Sequence, residues 1–271
     1  MFLMIKNKHL IHKKILELAL LYEFISNLNI YIIIFLIFTF FISGLIKGFL
    51  GLGLPSSAMG LLTLVIEPIH AISIMVAPII FTNIAQFVRA PNPRKTMNDF
   101  KYFALFIIIS IFLTSFFIKS YPTEVLTMAI GFAMIIFSIN QLFGVKITIG
   151  PSKIWHVLMG TISGVLGGLS SIWSPPVAMY LIAREYTKDQ FISITGFLFM
   201  VGGAPLGLGL YFAGVLNYLV VIQSFVALVF VLIGFRVGEI LRGYISQKVF
   251  RYCVLIAFLL MGARLIFEGL I

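Results

Sequence analysis

The chain has 271 residues, 61% hydrophobic and 10% charged, with a net charge of +10 and a mean hydropathy of +1.13. A soluble domain is about half apolar and about a quarter charged, so this chain cannot hide its apolar surface from water and reads as an integral membrane protein. Its lone cysteine, Cys253, excludes an internal disulfide, and its lysines and arginines sit in short loops between apolar runs, which points to topology and lipid headgroups rather than nucleic acid.

In chain order, residues 1–27 form an N-terminal segment with Lys6, Lys8, Lys13 and Lys14 and no small-residue cleavage site after a clean apolar core. It is not a cleaved signal peptide, and the mixed apolar and charged pattern of residues 10–26 fits a helix lying in the membrane interface. A span needs about 20 apolar residues. Such runs lie near 28–53, 69–88, 103–119, 123–143, 155–171, 189–213, 217–236 and 249–267, with two shorter pieces at 55–67 and 174–184.

The stretch Gly44 to Ser57, GLIKGFLGLGLPSS, interrupts the first run with four glycines, a proline and a lysine. A packed span does not need that composition, whereas a helix broken so that its backbone faces a ligand does. The pattern returns at Gly160 to Pro176, GTISGVLGGLSSIWSPP. At an offset of 116, Gly44, Ile46, Gly48, Leu50 and Gly51 match Gly160, Ile162, Gly164, Leu166 and Gly167. At 120, Pro55, Ala58, Met59 and Leu61 match Pro175, Ala178, Met179 and Leu181, and at 124 residues 123–143 lie over 247–267. The chain therefore reads as a first repeat (28–143), a cytoplasmic linker (144–154) and a second repeat (155–271). Five elements per repeat is an odd number, so the second copy sits upside down: an all-α, polytopic membrane protein with two five-element inverted repeats and broken helices near the midplane. The basic loops 89–101, 144–154 and 236–251 are separated by even numbers of elements if both short pieces cross. That count puts the N-terminus outside, against which its lysines argue.

All nine acidic residues lie in the tail, in loops or at element ends, so no carboxylate relay runs through a span. HExxH and GxxxxGK[ST] are absent, and no span supplies the base of a serine hydrolase. The expected protein is not an enzyme and needs no cofactor or metal. The prolines place helix starts beside glycine-rich turns, because proline is well tolerated in the first turn. A helix start carries partial positive charge and free N–H donors, which suit an anion.

Gly44, Gly48, Gly160 and Gly164 have small-xxx-small spacing and are read as packing positions. Gly51, Gly53, Gly167 and Gly168, each pair followed by a proline (Pro55, Pro175), are read as the unwound backbone. Ser56, Ser57, Ser163, Ser170 and Ser171 could complete the site, although backbone bonding within their own helices is the alternative for each. Asn83 and Gln86, three apart, form a polar face that needs partners in lipid. Lys47 either snorkels or faces an anion, Arg264 snorkels near the C-terminus, and Trp173 is placed at an interface.

GLIKGFLGLGLPSSAMGLL, the following AISIMVAPIIFTNIAQFVRA with its basic loop, GTISGVLGGLSSIWSPPVAMYLI and the closing RVGEILRGYISQKVFRYCVLIAFLLMGARLI resemble the TauE/SafE family of membrane permeases over roughly residues 30–270. The resemblance implies a secondary carrier in the cell inner membrane for sulfite, sulfoacetate or another organosulfur anion. The family's first motif resembles GxGGGxxxxP, whereas this chain has GLGLPSS, which leaves the substrate open. The expected partners are a small anion and membrane lipid; a co-transported H⁺ or Na⁺ and a homo-oligomer are compatible with this reading. A membrane-embedded binding or assembly protein that transports nothing, and an anion channel, are the alternatives.

Overall fold

A computed structural model of the protein describes residues 30–144, 150, 152–244 and 246–271. The N-terminal segment 1–27 and most of the 144–154 linker therefore lie outside the described residues. The described residues form α-helices without strands. The first half holds α1 (Ile30–Leu50), α2 (Leu54–Leu62), α3 (Pro68–Ile74), α4 (Val76–Val88), α5 (Pro93–Asp99), α6 (Lys101–Phe116) and α7 (Thr123–Phe143). The second holds α8 (Lys153–Ser170), α9 (Ser174–Ala183), α10 (Lys188–Phe212), α11 (Tyr218–Leu241) and α12 (Gln247–Leu270).

Six stretches are long and apolar enough to cross a membrane: Ile30–Leu50, Pro68–Val88, Thr123–Phe143, Asp189–Phe212, Tyr218–Leu241 and Lys248–Leu270. The expected span at 69–88 is divided at Met75 into α3 and α4, yet counts as one crossing. Ahead of the expected span at 103–119, α5 and α6 meet at 70°, so the basic segment after Pro93 turns away from the span beyond it. The chain up to Ile37 and residues 38–271 are separate compact units, and both glycine-rich stretches belong to the second.

Glycines set the closest helix contacts. A Cβ on Gly44 or Gly48 would overlap the backbone carbonyl of Val231 or Phe235 in α11, and Gly234 and Gly238 return the contact to Phe41 and Leu45. Gly160 and Gly164 bring α8 onto Phe103, Ile107 and Ser110 of α6. With no apolar driving force between helices in lipid, such close backbone approach is what holds a bundle together. The four glycines read as packing positions pack.

The contacts also give direction. Phe41 meets Gly234 and Leu45 meets Gly238, so α1 and α11 run parallel. Ala77 N–H donates to Ser224 Oγ (2.9 Å) and Arg89 pairs with Glu239 (2.9 Å), so α4 runs with them. Ile80 lies on Gly203 and Phe87 on Gly196, so α10 opposes α4. Met128 lies on Gly269 and Gln141 binds Arg251, so α12 opposes α7. One end of the bundle thereby collects Arg89, Arg236, Arg242, Lys248 and Arg251; the other carries Lys119, Glu124 and Glu268.

The two short pieces do not cross alone. With nine and ten residues, α2 and α9 are about 14–15 Å long, half of a ~30 Å hydrocarbon core. His156 Nε2 and Tyr180 Oη lie 2.8 Å apart, and Trp173 covers Gly167, so α9 folds back along α8 as a hairpin.

Candidate functional site

The first break falls where the glycines and Pro55 place it. Gly51 and Gly53 have φ of +82° and +95°, a region that side chains disfavour. Gly53 caps α2, and Pro55 lies in its first turn. The second break comes later than expected. Gly167 and Gly168 are not unwound: both lie in α8, where a Cβ would strike Trp173 or Thr114. The chain leaves α8 at Ser171, with φ +59°, and α9 starts after Trp173, with Pro175 in its first turn. Trp173 is not at an interface either; it is buried and packs edge-on against Phe199, 5.9 Å between centroids. Its indole blade occupies the space that Gly167 and Gly202 leave open.

The serines divide into two groups. Ser57 Oγ donates to Gly53 O (2.8 Å), and Ser170 Oγ donates to Leu166 O (2.6 Å) while accepting from Ile172 N–H (3.1 Å). Both serve their own backbone. Ser56, Ser163 and Ser171 are fully buried, and their hydroxyls have no protein partner. Ser174 Oγ and the Trp173 Nε1–H at the second break are likewise unpaired. Buried polar groups are rarely left unsatisfied, so unpaired hydroxyls at both breaks mark places suited to a polar ligand or water.

Lys47 is 2% exposed, on the last turn of α1, and its Nζ donates to Asn83 Oδ1 on α4. It does not snorkel to the surface. Asn83 Nδ2 donates to Ile79 O (2.8 Å), which fixes the amide with its oxygen toward the lysine. Gln86, one turn on, reaches the other way. Its Nε2 donates to Ile192 O (3.0 Å) and Thr195 Oγ1 (3.2 Å) on α10, and its Oε1 is left without a partner. The two amides thus serve different helices. Thr39 and Ser43, at four-residue spacing before Lys47 on α1, are buried and also unpaired; only this i, i+4 stripe could have exposed them in the sequence.

Lys47, Gly51 and Gln86 line a cavity of about 200 Å³ at the basic end, with Arg89, Asp189, Glu239 and Arg242 around its mouth. A larger cavity of about 630 Å³ adjoins it, sharing Ile192 and Arg242. Arg242, visible in the sequence only as a loop charge, is bound to the end of α1: its Nε and Nη2 donate to Phe49 O (2.7 Å) and Gly48 O (2.6 Å). It thereby satisfies carbonyls that the broken helix leaves free, and puts a cation at the negative end of the dipole. Arg264 is held by Glu268 and by Thr63 O. Among the described residues, no three His, Cys, Asp or Glu side chains gather as a metal site.

The two breaks lie against different parts of α10, Gly51 at Ile192 and Trp173 at Phe199 and Gly202. Asn83 lies between Gln86 and Ile80, whose α10 neighbours are Gly196 and Gly203. The head of Lys47 therefore reaches the stretch of α10 that also carries Trp173.

No curated protein and no solved structure matches this chain. The model of the sulfite exporter TauE/SafE family matches residues 36–265, which takes in both breaks, Lys47, Asn83, Gln86 and Arg242. Members of that family are membrane transporters, and a small anionic substrate follows from the family name. With the six apolar stretches and the match over most of its length, the chain is a multi-pass membrane protein that belongs to the sulfite exporter TauE/SafE family.

Proposed function

We propose that this protein is a secondary transporter that moves a small sulfur-containing anion, of the sulfite or organosulfonate class, across the cytoplasmic membrane by alternating access. The observation that carries the reading is Lys47: a buried ammonium whose hydrogen-bond partner is a neutral amide, beside a cavity. A buried charge is costly unless paired, and an anion entering from that cavity supplies the missing charge. Lys47, Asn83 and Gln86 form the first-half side of the site, with the α2 start at Gly51, Gly53, Pro55, Ser56 and Ser57. Ser163, Gly167, Gly168, Ser170, Ser171 and Pro175 form the other side, with the unpaired hydroxyls of Ser163 and Ser171 as donors and the glycines admitting Trp173.

Two inverted five-element repeats support the same mechanism. The helix directions alternate oppositely in the two halves: α1 and α4 run toward the basic end, whereas α8 and α10 run away from it. Glycines at matching positions also make matching contacts, α1 on the fourth span of the second half and α8 on that of the first. The positive-inside rule puts the basic end in the cytoplasm, and both cavities adjoin that end, so this conformer faces inward. The test is uptake of labelled sulfite into proteoliposomes, with saturable counterflow driven by trans anion. Saturation and counterflow support a carrier; linear, unsaturable flux overturns it in favour of a channel, and no flux of any small anion overturns transport.

A further inference from the structure

The larger cavity has a lining that a bare oxyanion would not use. Its walls bring together Phe49, Phe137, Phe191, Tyr186 and Tyr252 with three cations, Arg242, Lys248 and Arg251, and no acidic side chain lines it. At about 630 Å³ it falls in the range that encloses organic ligands of some 300–1,000 Å³, many times the size of sulfite. A hydrated inorganic anion would gain from the arginines but nothing from the rings. We infer that the preferred cargo is an amphiphilic organic monoanion, with one sulfonate-like or carboxylate head and an aryl or short alkyl body, and that this cavity is its cytoplasmic vestibule.

The inference rests on the proposed transport reading and specifies its substrate. The cations hold the positions that a head group needs. Arg251 Nη2 is anchored to Gln141 O (2.7 Å) and Oε1 (2.6 Å) on α7, and Arg242 is anchored to the end of α1 with Nε and Nη2. Both guanidinium planes are fixed before a ligand arrives, which lowers the ordering cost of binding. Arg242 and Ile192 belong to the walls of both cavities. A head group handed from Arg242 to Lys47 can thus enter the inner cavity while its apolar body still lies among Phe49, Phe191 and Tyr252.

The experiment uses the full chain in phosphatidylcholine proteoliposomes and measures inhibition of labelled sulfite uptake by methanesulfonate, butanesulfonate, hexanesulfonate and benzenesulfonate. Each methylene that leaves water is worth roughly fourfold. With about half of the added chain buried, the half-inhibitory concentration should fall on the order of tenfold to a hundredfold from methane- to hexanesulfonate. Tyr252→Ala and Phe191→Ala should each flatten that slope by fivefold or more. Phe267→Ala, an exposed ring at the far end of α12, should keep it. Hexyltrimethylammonium, a cation of similar tail, should not inhibit. Sulfite uptake with equal inhibition across the series overturns this inference and leaves the transport reading standing. Absence of any flux overturns both. If phosphatidylglycerol vesicles abolish the chain-length slope, a lipid head group occupies the cavity and the inference is overturned in that direction.

Discussion

Lys47 decides the chemistry at the scale of single residues. Moving an ammonium out of water costs several kcal/mol after relaxation, and the carbonyl of Asn83 returns only part of it. Replacement by a hydrophobe of similar length therefore removes a cost as well as a function. Lys47→Met should reduce saturating anion flux by about tenfold to a hundredfold, the value of one charge-assisted hydrogen bond of roughly 1.5–3 kcal/mol. Its melting temperature in detergent should hold or rise, because the buried charge lost outweighs the roughly 1–3 kcal/mol of leaving Asn83 Oδ1 unpaired. A fall in both flux and melting temperature would identify Lys47 as a structural strut. Asn83 and Gln86 were legible as a polar pair because two amides in lipid need partners; the partners were not, since one belongs to α1 and the other to α10, 36 and 106 residues away. Arg242 was illegible as a site residue for a related reason. Nothing local to a loop arginine shows that it reaches the carbonyls of a helix 193 residues earlier.

At the scale of elements, glycine has two uses in this chain, and they predict different responses to one methyl group. Gly48 is helical, and its missing Cβ is where the carbonyl of Phe235 lies. Gly48→Ala must move one helix backbone off another, so it should cost about 1–3 kcal/mol or more and separate α1 from α11. Gly53 has space, with the nearest atom Ile46 Cγ2 at 3.4 Å; what opposes a side chain is φ +95°. Gly53→Ala should cost roughly 1–2 kcal/mol through the backbone alone, and Gly53→Asn less, because asparagine tolerates left-handed conformations. Thermal unfolding of the three variants checks the order; Gly53→Asn as harmful as Gly48→Ala would show that space, not conformation, governs the break. The starts of α2 and α9 were legible because proline can enter a helix only near its first turn. The end of α8 was not. It stops at Ser171 in a left-handed conformation unusual for serine, while Gly167 and Gly168 stay helical to admit Trp173 and Thr114. Glycine marked a close approach there, and the same letters fit an unwound turn equally well.

For the whole molecule, the consequence of two oppositely directed halves is a second conformation. This conformer has its cavities at the basic end, and a carrier must also open at the other. Ile192 is the residue to watch, because it lines both cavities, receives the amide of Gln86 on its carbonyl and meets Gly51 at 4.0 Å. Cys253 is exposed and the chain's lone cysteine, so Cys253→Ser gives a clean background in which Ile192→Cys can be labelled. In inside-out vesicles, an impermeant maleimide should modify that thiol rapidly without substrate and at least about threefold more slowly with saturating anion. The protection has a thermodynamic bound: a ligand shifts a conformational equilibrium only by its differential affinity for the two states. A channel whose pore is always open would show protection only by direct occlusion, and a bulkier anion would then protect more in proportion to its size. Alternating access instead predicts that anion present only on the trans side also protects, by drawing the population outward. Asn98→Cys and Asn217→Cys, at the basic and opposite ends, fix the orientation in the same vesicles: the first should react from the bath and the second only after permeabilisation. If trans anion leaves Ile192→Cys as reactive as before, the two-state motion fails even where sulfite crosses the membrane.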